Sequence, residues 1–122
     1  MSRTVLQPGP QHPITVEPTS ARVVVTAGDT PVASTTAALA LQEASYPTVY
    51  YVPLADVRAE VLKPSDHITY CPYKGDASYY SIATPDGELT DAVWFYGEPY
   101  PAVAAIEGHV AFYANRVNVT VA

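Results

Sequence analysis

Cysteine is almost absent from this chain of 122 residues: Cys71 is the only one. No internal disulfide framework is therefore open to it, and no cysteine pair is on hand for a structural zinc site. Basic residues are scarce too, six Lys and Arg against twelve Asp and Glu, for a net charge of −6. A surface of that sign has no basic stripe with which to displace counterions from nucleic acid or to hold an anionic membrane. Three histidines (His12, His67 and His109) are scattered, and no His-x-x-His or His-Glu spacing joins them. No metal and no cofactor are expected. No apolar run approaches the roughly eighteen residues of a membrane span. The start, with Arg3 followed by Pro8-Gly9-Pro10, has no apolar core of a signal peptide, so none is expected. Together with the single thiol, this predicts a cytoplasmic protein.

What remains is apolar and aromatic. Hydrophobic residues make up 48% of the chain and charged ones 15%, enough for one folded domain with its own core. Residues 1–12 hold two prolines and no periodicity, so they read as an irregular arm, either mobile or laid along the domain or a neighbouring subunit. Residues 13–122 form the domain. Its runs are short, β-branched or aromatic, and cut by Gly and Pro: Arg22–Thr26, Pro31–Ser34, Thr48–Val52, His67–Cys71, Ala77–Ala83, Ala92–Tyr96, Val110–Tyr113 and Val117–Val121. Thr36–Ala44 carries both helix-favouring residues and a strand-like alternation of Leu39 and Leu41; strand is the preferred reading. Helix is expected only as short turns near 54–62 and 99–105. Seven to nine strands at this spacing predict a mainly antiparallel all-β domain.

Tyrosine is over-represented, ten against two phenylalanines. A buried phenol needs a hydrogen-bond partner, so pure packing would favour Phe. A polar pocket or an interface is the better reading. Of Tyr50, Tyr51, Tyr79, Tyr80, Trp94 and Tyr96, one member of each Tyr-Tyr pair should face the core and the other should face out or line a pocket, because strand side chains alternate.

The densest stretch is residues 69–80, TYCPYKGDASYY. It brings together Cys71, Lys74, a turn glycine and four tyrosines. Lys74-Gly75-Asp76 is expected to be the turn of a hairpin. Cys71 reads either as a structural thiol or as a nucleophile activated by Lys74, with the structural role favoured because no His adjoins it. Lys74 reads either as a solvated turn residue or as an ammonium presented to a ligand. Glu43, after an apolar run, reads either as a strand-end surface charge or as a buried carboxylate paired with Lys74.

The same residues carry a family resemblance. Thr69-x-Cys71-Pro72-x-Lys74-Gly75-x-Ala77-x-Tyr79-Tyr80 resembles the signature of the DUF427 proteins, small bacterial domains of unknown function. Val49-Tyr50-Tyr51-Val52-Pro53, Trp94-x-Tyr96-x-x-Pro99 and Ile106-x-Gly108-x-Val110-Ala111-Phe112-Tyr113 resemble further parts of it, in order along the chain. The resemblance implies a compact two-sheet β domain of the Mss4-like or β-tent kind. Relatives of that architecture use paired cysteines for a metal, and this chain departs from them by having one. The family is sometimes labelled nucleotidyltransferase-like; no Gly-Ser followed by an Asp-x-Asp pair supports that label here.

Two functions follow as expectations. The first is a small-molecule-binding β domain, with or without a catalytic step. Its ligand would meet Tyr50, Tyr51, Lys74, Tyr80, Trp94 and Tyr96, with Cys71, Lys74 and Glu43 as candidate reactive groups. The second is a non-catalytic module that binds a protein or self-associates, as a homodimer for instance, through an exposed tyrosine face.

Overall fold

The computed structural model describes residues 3–122. Ten strands follow one another: β1 (Ile14–Pro18), β2 (Val23–Ala27), β3 (Thr30–Thr35), β4 (Leu39–Glu43), β5 (Val49–Pro53), β6 (Leu62–Cys71), β7 (Gly75–Thr84), β8 (Gly87–Tyr96), β9 (His109–Phe112) and β10 (Asn118–Val121). The only helical pieces among the described residues are 3₁₀ turns at Leu54–Asp56, Ala59–Val61 and Pro101–Ile106. Pro53 and Pro101 open the first and last of them, where a missing N–H costs nothing. The fold is all-β and antiparallel, as the short, punctuated apolar runs predict, and Leu39–Glu43 is a strand.

Seven strands form one sheet in the order β1-β4-β5-β9-β8-β7-β6, and three form a second, β10-β2-β3. Side-chain parity divides the large sheet into two apolar faces. Val52 is opposite Val110, and Val93 is opposite both Phe112 and Tyr80. These residues share the face that packs on Val23, Val25 and Val32 of the small sheet. Leu41 is opposite Val49, Tyr79 opposite Trp94, Ala77 opposite Tyr96 and Trp94 opposite Ala111. They lie on the other face, where Val103 and Ile106 of the Pro101–Ile106 segment pack with them. Burial on both sides explains why Val49–Val52 and Ala92–Tyr96 read as unbroken apolar runs. Each fully buried aliphatic side chain here, such as Ile82 or Val52, contributes about 1.5–3 kcal/mol.

Two expectations need correction. The turn between β6 and β7 is Pro72-Tyr73-Lys74, not Lys74-Gly75-Asp76: Cys71 is opposite Gly75 and Tyr70 opposite Asp76. Pro72 decides it. Its fixed φ suits the second position of a turn, and the Lys74 N–H closes that turn on the Cys71 carbonyl at 3.2 Å. Gly75 then takes φ +110°, which a side chain would disfavour, and starts β7. Tyr73 thus sits in the turn and does not share a strand face with Cys71. The second correction is an added strand, β1, in a stretch read as having no element. It lies at the edge of the sheet and ends at Pro18, so its alternation is short and half exposed.

Candidate functional site

Lys74 is the most buried charged residue among those described, 7% exposed. Its position follows from the hairpin. The backbone of Lys74 is held on both sides, by its N–H to Cys71 and by its carbonyl, which accepts from the Tyr100 N–H at 2.9 Å. The side chain is thereby turned under the sheet instead of into solvent. There Nζ donates to Glu43 Oε1 at 2.5 Å. Glu43 ends β4 on the same face as Leu41, so the strand places its carboxylate where the lysine arrives. The second carboxylate oxygen is also taken: His12 Nε2 donates to Oε2 at 2.7 Å, with the imidazole stacked on Tyr73 at 4.3 Å. Burial pushes the Glu43 carboxyl up, but the hydrogen bonds from Lys74 and His12 outweigh it and leave the group below its usual value.

A cleft of about 260 Å³ opens beside this pair. Glu43, Lys74, Tyr51, Trp94 and Tyr96 line it, together with Tyr79 and Tyr113. Its chemistry is set by which groups are already engaged. Trp94 Nε1 donates to the Tyr51 hydroxyl at 3.2 Å, which leaves the Tyr51 O–H free to donate. Tyr79 shares a hydrogen bond with Thr69 at 2.8 Å. Tyr96 lines the cleft, and its hydroxyl makes no hydrogen bond among the described residues; no buried side-chain polar atom there lacks a partner, so this hydroxyl opens to the cleft. Burial raises both Tyr51 and Tyr96 well above the ordinary phenol value, so they stay protonated. Lys74 has three N–H groups; one is given to Glu43 and another reaches Cys71 Sγ only at 3.8 Å. The groups of the cleft with a hydrogen still to give are therefore the Lys74 ammonium and the Tyr51 and Tyr96 hydroxyls, the phenol oxygens being able to accept as well.

The structure brings some of the expected residues together and separates others. Tyr51, Lys74, Glu43, Trp94 and Tyr96 converge. Cys71 is half-buried beside the ammonium but does not line the cleft. Tyr50 points to the opposite face of the sheet and lines a different cavity, and Tyr80 stacks on Phe95 at 4.9 Å away from Lys74. Parity is the reason: Tyr51 and Tyr79 share the cleft face, so their neighbours Tyr50 and Tyr80 must lie on the other. Tyr79, Tyr113 and His12 join the site without having been singled out for it. The first was legible only with the register known. His12 arrives from the arm, 31 residues from Glu43, with no local signal.

That arm lies along the hairpin. Arg3 pairs with Asp76 and sits over the Tyr70 ring at 3.8 Å. The Tyr70 hydroxyl donates to the Thr4 carbonyl at 2.6 Å, and the Leu6 N–H donates to the Pro72 carbonyl at 3.0 Å. Among the described residues, no group of three or more His, Cys, Asp or Glu is placed to hold a metal ion, and no helix is long and apolar enough to cross a membrane.

Comparison with known proteins agrees with the motif. No curated protein matches the chain. A family model described as "Domain of unknown function (DUF427)" matches residues 15–122, from β1 through β10 and including the whole Lys74 cleft. The chain belongs to that family.

Proposed function

We propose that the protein is a small-molecule-binding β domain whose ligand enters the cleft beside Lys74 and Glu43. The convergence of Lys74, Tyr51 and Tyr96 as unengaged donors in one aromatic-walled cleft carries this reading. A buried ion pair stabilises a fold poorly, because desolvation cancels much of its attraction. The Tyr96 hydroxyl gives the fold no hydrogen bond, so packing alone supplies no reason to prefer it to Phe. Groups that are costly to the fold and convergent on a hollow are those expected of a binding site. Trp94 supplies a flat face, tilted 47° against Tyr113 at 4.5 Å. In this reading the protein works in the bacterial cytoplasm, where a reducing environment suits its one half-buried thiol.

The alternative, a protein-interaction or self-association module, draws no support from the tyrosines. Only Tyr46 and Tyr113 of the ten are exposed, and both stand at the cleft.

A thermal-shift screen of metabolites and nucleotides tests the proposal, run on wild type and Lys74→Met side by side. A ligand that binds only the folded state raises its melting temperature. The expected result is a set of compounds that stabilise wild type and leave Lys74→Met unmoved. Compounds that stabilise both equally, with the variant well folded, place binding elsewhere.

A further inference from the structure

Next to the polar cleft lies a second cavity of about 280 Å³, lined by Val25, Tyr50, Val52, Phe112 and Val119 and almost wholly apolar. The two share Tyr46, Pro47, Val49, Trp94 and Tyr113 as walls. Their junction has a structural cause. β5 and β9 pair only at Val52–Val110 and Pro53–His109, after which the strands part. On one side of the parting are Val49 and Tyr50; on the other are Phe112 and Tyr113. The large sheet is therefore open along this line, and the hollow on its polar face meets the hollow between the sheets. Neither cavity alone reaches the roughly 300–1,000 Å³ usual for ligand pockets, and together they do.

Building on the cleft reading above, we infer that the ligand is amphipathic, with an oxygen acceptor (a carboxylate or carbonyl) held by Lys74, Tyr51 and Tyr96, and an apolar ring or chain in the slot between the sheets. The head follows from the donor inventory. Lys74 has an N–H to spare, Tyr51 and Tyr96 each have an O–H, and both Glu43 oxygens are occupied by Lys74 and His12. A cationic head would face the Lys74 ammonium and could accept nothing from it, and would meet only phenol oxygens and the lone pairs that Lys74 and His12 leave on Glu43. Lys74 and Glu43 cancel in charge, so a neutral carbonyl and a carboxylate both suit the head position. The body follows from the slot walls, where Val25 and Val52 are completely buried and no charged side chain is present.

Calorimetric titration with phenylacetate, phenylacetamide, 2-phenylethylamine and acetate tests this. The acid or the amide should bind wild type, and which of them binds tells an anionic from a neutral head. The amine should not bind. Acetate should bind roughly tenfold or more weaker than phenylacetate, having lost the ring. Lys74→Met should weaken the aromatic acceptors about tenfold. Ala114→Trp and Thr48→Trp, at exposed positions that line the slot and not the polar cleft, should weaken phenylacetate or phenylacetamide and leave acetate unchanged. The inference is overturned if the amine binds as tightly as the acid, or if neither acid nor amide binds. Normal binding of the aromatic acceptors by both folded Trp variants overturns the slot while leaving the cleft reading intact. Indifference to Lys74→Met sinks the cleft reading itself.

Discussion

Removing both members of the Lys74–Glu43 pair should cost no more than removing one. In Lys74→Met the carboxylate loses its 2.5 Å donor but keeps His12 at 2.7 Å. The Glu43 side chain is 18% exposed, so water reaches it in part. A hydrogen bond to a charged group is worth about 1.5–3 kcal/mol, and about 2 kcal/mol is expected here. For a domain of this size that lowers the melting temperature by about 8 °C. In Glu43→Gln the ammonium, 9% exposed at the side chain, keeps a neutral acceptor but no counter-charge, for a loss of about 2–3 kcal/mol. The double variant places Met beside Gln and buries no charge. Its loss should be about 2 kcal/mol, not the sum, giving a coupling of about 2 kcal/mol in a urea-unfolding cycle. The pH dependence has a definite sign. Glu43 is depressed in the fold relative to its ordinary 4.5, so its contribution is complete above that value and is lost as pH falls through the lower folded value. The gap in stability between wild type and the double variant should therefore narrow in acid. Additivity of the two single losses to within about 0.5 kcal/mol would refute the pairing and the reasoning built on it.

Three further outcomes are expected. Gly75→Ala should cost roughly 1–3 kcal/mol in thermal unfolding, because φ +110° strains any side chain and its Cβ would sit 3.4 Å from the Glu98 carbonyl oxygen; an unchanged melting temperature contradicts the hairpin geometry. Tyr96→Phe should leave stability within about 0.5 kcal/mol of wild type, as its hydroxyl has no partner to lose, whereas Tyr51→Phe should cost about 1 kcal/mol by stripping the Trp94 N–H of its acceptor; equal melting temperatures for the two would contradict the assignment of free and engaged phenols. His12→Ala should make a subsequent Lys74→Met costlier than it is in wild type, since Glu43 then has no donor left, and chemical denaturation of the three variants reads this directly.

The fold was legible because β-branched and aromatic runs cut by Gly and Pro leave few alternatives to a small antiparallel domain. The helical turn near 54–62 was legible from Asp56, Glu60 and the spaced apolar residues around them, and the one near 99–105 from Pro99. The Glu43–Lys74 pair was legible for a different reason: a carboxylate after an apolar strand and a lysine in an aromatic hairpin both need a partner. Which tyrosines join them was not legible. Alternation says that Tyr50 and Tyr51 point opposite ways, but only the pairing of Leu39 with Tyr51, and of Tyr79 with Trp94, says which way is the cleft. Register on β7 is further obscured by the irregularity between Tyr80 and Ile82, which no local composition marks. His12 was out of reach altogether, since its role depends on the path of an arm without periodicity.

The chain has one tryptophan, and its indole N–H borders the cleft while donating to Tyr51, so a single side-chain signal reports on the site. The most direct measurement is a ¹H–¹⁵N titration of wild type with the strongest stabiliser from the thermal-shift screen, following that indole resonance. That resonance should move in a saturable way with the backbone signals of Lys74 and Tyr96, and the movement should be lost in folded Lys74→Met. Saturable shifts confined to residues away from the cleft, with the indole signal stationary, would contradict it.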